Sequence, residues 1–207
     1  MEHTILSANQ TINSARNKNT RTMNEDKRLF EIALWSEDEL LKLERKVNRI
    51  HGNYQKAQYI KKEAYELMLD GEEPLRKKGA VLMEKMIKLF PEEHLATMAG
   101  HSCLGKYYRS IGEYDAALFH FEQVLTYNNA STSKYDMPEM QIALTIIMLE
   151  HIDKYNYARN VLDKVNPRTL FIKEQLKLYE LMLAVLNGKG SPSEVREYYL
   201  LQQHVGF

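Results

Sequence analysis

The segment His101–Asn129, HSCLGKYYRSIGEYDAALFHFEQVLTYNN, constrains the fold more than any other part of the chain. Leu104 and Tyr108 lie four residues apart, as do Ala117 and Phe121, so each pair shares one face of a helix. Gly105 and Ala117 carry almost no side chain, which lets two antiparallel helices approach closely there, while Tyr108 and Phe121 fill the space beside the notch. Gly112 supplies the break between them. The spacing predicts a tight helical hairpin.

The same five residues stand at the offsets of a tetratricopeptide repeat: Leu104-Gly105, then Tyr108, then Ala117 with Phe121 four residues on. The stretch 98–131 therefore resembles one such repeat, with His101 where Trp is usual and Asn129 where Pro is usual. Weaker echoes lie on either side, in Gly79 with Met83 and Pro91, and in Ala158 with Leu162. The small residues at 79, 117 and 158 are 38 and 41 residues apart, against about 34 for regular tandem repeats. The resemblance implies an all-α fold, an irregular TPR-like α-solenoid of antiparallel helix hairpins, and a scaffold for binding.

Composition narrows the choices. Lys and Arg balance Asp and Glu at 28 each, so no long-range field draws the chain to nucleic acid or to an anionic membrane. The one cysteine, Cys103, cannot form an internal disulfide, and no apolar run approaches the length of a membrane span. Residues 1–23 hold too few apolar groups to offset the entropy of ordering and read as a polar tail. Their basic residues Arg16, Lys18 and Arg21 follow no amphipathic period, and no secretion signal stands there. The expectation is a cytoplasmic protein with a single helical domain over 24–207.

The helices can be placed from their caps. Asn24 is suited to cap a first helix reaching Trp35, and Ser36-Glu37-Asp38-Glu39 is a capping box opening a second, to about Ile50. His51-Gly52-Asn53 ends that helix and starts another to Leu69. Pro74 opens a helix to about Phe90, whose run LMEKMIKLF reads as core. After the hairpin, Pro138 starts a helix apolar nearly all round, its partner carries Tyr157 to Val165, and Asn166-Pro167 stops it. A last pair runs from Thr169 to Leu186 and, capped by Ser191 with Glu194, from Pro192 to His204. The mixed-charge helices LLKLERKVNRI and YIKKEAYELML read as ordinary wet faces.

No phosphate-binding loop, dinucleotide fingerprint, nucleophile elbow or HExxH motif is present, which argues against an enzyme, and no cofactor or metal is expected. His94, His101 and His120 match no zinc spacing: His101 reads as a packing residue, His94 as part of a first turn and His120 as solvated. Cys103 reads as a small buried hydrophobe. Most of the 13 tyrosines read as bulky packing residues, any exposed ones as interface anchors.

In tetratricopeptide proteins the first helix of each repeat lines a concave groove. By that resemblance Ala99, Ser102, Cys103, Lys106, Arg109 and Ser110 face a ligand, followed by Met140, Ala143, Leu144, Ile147, Glu150 and His151 of the next repeat. Ser102, Lys106, Arg109, Ser110, Met140, Ile147 and His151 are the candidate partner-binding residues, with Lys106 and Arg109 placed to orient an acidic element. The expected function is a non-catalytic adaptor or regulator that binds a protein or peptide partner, with homo-oligomerisation open. An immunity protein that neutralises a toxin, a peptide-signal receptor, or an enzyme with a nonstandard helical site are the alternatives.

Overall fold

In the computed structural model, which describes residues 34–69, 72–130, 137–166, 170–191 and 194, the capping box at Ser36 forms as its sequence predicts. The Glu39 amide donates to Ser36 Oγ at 3.4 Å, and the Ser36 amide donates back to Glu39 Oε2 at 2.8 Å. This cap opens α1 (Glu37–Arg49). Leu40, Leu43 and Val47, at helical spacing, are buried, whereas Leu41 and Ile50 are not. The helix expected from Asn24 falls outside the described residues except for Leu34 and Trp35, which turn and bend ahead of the cap.

The chain divides after Ile50 into two compact units, α1 lying in the first. The second contains α2 (Asn53–Leu69), α3 (Glu73–Leu89), α4 (His94–Ser110), α5 (Tyr114–Ala130), α6 (Pro138–Leu149), α7 (Tyr155–Leu162) and α8 (Leu170–Leu186), with a 3₁₀ turn over Ile152–Lys154. The described residues contain no strand, so the fold is all-α. Each of these helices packs on the next, and α2 also touches α4, as α6 touches α8.

The small residues set these approaches. A Cβ placed on Gly79 of α3 would lie 2.6 Å from the Ala64 carbonyl oxygen of α2, and one on Gly105 of α4 would lie 2.7 Å from the Phe121 ring of α5. Ala117 and Ala158 are likewise fully buried. Between α4 and α5 the chain reverses through Gly112 at φ +80°. There the Glu113 amide donates to the Tyr108 carbonyl at 2.9 Å and the Gly112 amide to that of Arg109 at 3.1 Å, which satisfies the carbonyls at the end of α4.

The core of the C-terminal half joins α5 to α8 through Phe121, Ile142, Ile146, Leu162 and Tyr179. The apolar helix α6 is central to it, as expected, and ends on Glu150 in the left-handed conformation at φ 56°. Leu82, Met83 and Met86 of the methionine-rich run are fully buried, again as expected. Helix α7 is shorter than its sequence suggests, stopping at Leu162. Ser191 makes its capping bonds with Glu194, but the helix expected beyond it lies outside the described residues, as does Pro167. Among the described residues no helix is long and apolar enough to cross a membrane.

Candidate functional site

Helix α2 presents Gln58, Lys61, Lys62, Tyr65, Met68 and Leu69, a set spaced by three and four residues and therefore on one face. Helix α4 presents Ala99, Ser102, Cys103, Lys106, Tyr107 and Ser110 at the same spacing. The two faces, with Arg76 of α3, enclose a cleft of about 770 Å³. The opposite side of α4, carrying Leu104, Gly105 and Tyr108, is spent on packing, so one helix serves as wall on one side and hairpin partner on the other.

Charge is distributed unevenly across this site. Its lining holds Lys61, Lys62, Arg76 and Lys106 and no carboxylate. Glu66 and Glu73 approach from outside the lining, at 3.6 Å from Lys62 and 3.5 Å from Arg76. Arg76 is held by several neighbours. Its guanidinium lies 5.5 Å from the centre of the Tyr107 ring and donates to Ser110 Oγ, which in turn donates to the Tyr107 carbonyl at 2.7 Å. The Tyr107 hydroxyl donates to Glu73 at 3.0 Å. Burial, and then the Glu73 carboxylate, push this phenol up to about 12, so it stays a donor at any physiological pH. The network ties the start of α3 to the end of α4. Tyr65 and Leu69, also in the lining, are 45% and 65% exposed despite their apolar bulk.

The structure sorts the expected groove residues. Ala99, Ser102, Cys103, Lys106 and Ser110 line the cleft. Arg109 does not: it sits four residues after Gly105 on the α5 side, its guanidinium 5.3 Å from the Phe121 ring centre and Nη1 3.5 Å from the Gln141 carbonyl of α6. Met140 and Ile147 are each 5% exposed and belong to the core, because α6 is enclosed by its neighbours. His151 is exposed just past the end of α6, away from the cleft lining. Cys103 is half-buried at the cleft, not a buried core residue as expected. Lys61, Lys62 and Tyr65, read from sequence as a wet face, form half of one wall. What could have marked them is Ser102 to Ser110 on α4: a groove helix needs a facing helix, and α2 is one hairpin back.

A second buried arrangement lies behind α4. His120, expected to be solvated, is 8% exposed and meets His101. Tyr108 stacks on His120 at 5.4 Å, with the planes 4° apart, and donates to Glu84 of α3. Burial lowers both imidazoles to about 4, the charge of His101 adding to the effect on His120. Both rings are neutral at pH 7. The sequence signal was present, since Ala117, His120, Phe121 and Val124 form one helical stripe. Exposed tyrosines exist beside the packed ones: Tyr107, Tyr155 and Tyr179 are buried, Tyr54, Tyr65 and Tyr157 are not. Among the described residues no group of three His, Cys, Asp or Glu is placed to hold a metal ion.

Comparison of the chain with protein-family models, with curated proteins and with solved structures gives no match.

Proposed function

We propose that this protein is a tetratricopeptide-like binding module that takes a segment of another polypeptide in the cleft between α2 and α4 and performs no catalysis. The observation that carries the reading is the cleft itself: about 770 Å³, walled by exposed Tyr65 and Leu69 beside four cations. Open apolar surface next to organised polar groups is the usual make-up of a recognition site. The repeat reading is supported by the close approaches at Gly79 and Gly105 and by the contact of α2 with α4, first helices of successive hairpins. A lone cysteine and an evenly charged chain fit work in the cytoplasm.

Site-specific photo-crosslinking in the native host tests this. A benzophenone amino acid is placed at Tyr65, in the cleft, or at Tyr157, exposed elsewhere. A discrete protein adduct from position 65 and none from position 157 is expected. No adduct at 65, or the same adducts from both, overturns the proposal.

A further inference from the structure

We infer that the cleft selects an acidic peptide segment carrying at least one large apolar side chain; the inference rests on the binding reading above and names its ligand chemistry. The chain as a whole is neutral, yet this lining carries Lys61, Lys62, Arg76 and Lys106 without one carboxylate. A concave site lined by one sign of charge concentrates ligands of the other.

Arg76 is the more enclosed cation, 27% exposed against 54% for its partner Glu73. Glu66 holds Lys62 only loosely, the pair spanning 3.6 Å with the side chains 69% and 58% exposed. An exposed pair of this kind contributes little, so a ligand carboxylate entering a half-enclosed cleft can displace Glu66. Arg76 is the best placed to receive it, since Tyr107 and Ser110 already hold its fork in position.

Length favours a peptide over a small anion. The lining spans 11 residue steps along each wall helix, from Gln58 to Leu69 and from Ala99 to Ser110. At 1.5 Å per residue that is about 16 Å, the reach of about five extended residues. The cations occur on both walls and not at one point, which suits several carboxylates along a strand. Tyr65, Met68 and Leu69 give the apolar contact that such a strand needs between its acids.

The test is selection from a phage-displayed random dodecapeptide library on the immobilised full chain, followed by fluorescence anisotropy with the enriched peptides. Enrichment of Asp and Glu together with aromatic or aliphatic residues is expected, with binding weakened about tenfold between low and moderate salt. The variant Lys61→Gln/Lys62→Gln/Lys106→Gln changes partly or fully exposed side chains, and a far-UV melt checks that it folds. It should lose about tenfold or more in affinity, and Leu69→Ser a comparable factor. Neutral or basic enriched peptides, or acidic ones bound equally by the triple variant, overturn this inference and leave cleft binding standing. No enrichment overturns it together with the cleft reading, which the crosslinking experiment checks independently.

Discussion

The Nδ1 atoms of His101 and His120 lie 2.8 Å apart in the buried seam between α4 and α5, so one ring carries its proton on Nδ1 and the other does not. The bond holds only while at least one ring is neutral, because two imidazolium rings would each present a donor. Both rings sit near 4, below their ordinary 6.5, owing to burial. The unfolded chain therefore takes up protons first as acid is added, and it does so between about pH 6.5 and 4. Stability should be level above pH 6.5 and decline as the pH falls through that window, by at most about 1.4 kcal/mol per pH unit for each ring. Thermal melts followed by circular dichroism across pH 4 to 8 measure this. His120→Gln retains a hydrogen-bonding group that does not titrate, and should flatten the profile at a cost of about 1 kcal/mol at pH 8.

The Gly105 notch predicts a repairable defect. In Gly105→Ala the new methyl would meet the Phe121 ring at 2.7 Å, and an aromatic ring wedged in a fully buried seam has little room to retreat. Overpacking of this kind costs about 1 to 3 kcal/mol. Urea denaturation should show that loss, and Phe121→Leu should cost less in the Gly105→Ala background than in the native one. Additive losses would mean that the two side chains do not share the space.

Two backbone positions should respond with opposite signs. Gly112 sits at φ +80° with nothing within 4 Å of where a methyl would stand, so Gly112→Ala acts through the backbone alone and should destabilise by about 1 kcal/mol. Glu150 ends α6 at φ 56° without glycine's freedom, and Glu150→Gly should stabilise by about 0.5 to 1 kcal/mol. Chemical denaturation of both variants provides the check.

Arg109 and Lys106, close together on one helix, should separate in their effects. Arg109 packs over Phe121 and reaches the Gln141 carbonyl, so Arg109→Ala should lower stability by about 0.5 to 1 kcal/mol and leave ligand affinity unchanged. Lys106 is exposed at the cleft, and Lys106→Ala should do the reverse. Paired melting and anisotropy measurements distinguish them; a loss of affinity in Arg109→Ala would return that residue to the site.

Cys103 offers a chemical probe of occupancy. It lines the cleft and is only half-buried, so a maleimide should modify it in the folded protein. A cleft-bound peptide should slow the reaction about tenfold or more by excluding the reagent, and the modified protein should no longer bind. Mass spectrometry of timed samples reads the first effect, and anisotropy with the modified protein the second.

The helices were largely legible because their signals are local. Ser36 with Glu39, Gly52, Pro74 and Pro138 each mark a start or stop through bonds or steric limits within a few residues, and the notches at Gly79 and Gly105 follow from side-chain size. The site was legible only where it lies on one helix. Ser102, Cys103, Lys106 and Ser110 share the face that the repeat resemblance turns toward a groove, but Lys61, Lys62 and Tyr65 join the cleft lining through packing with α4, which spacing on α2 does not encode. Arg109 was misplaced for a related reason. A long side chain at the edge of a helix face goes to the neighbour that receives it, and the Phe121 ring and Gln141 carbonyl are contributed by other helices. His120 looked like a surface group from its chemistry, although its stripe said otherwise.

Ten of the 17 residues of α4 are buried, among them Ala96, Ala99, Gly100, Ser102 and Gly105. At these buried positions the small side chains are set by close neighbours, and enlargement is the change least tolerated. Over evolutionary time the surrounding helices can drift while this one keeps its run of tiny side chains. Distant cousins of the protein should therefore be recognisable by that pattern long after overall identity has faded.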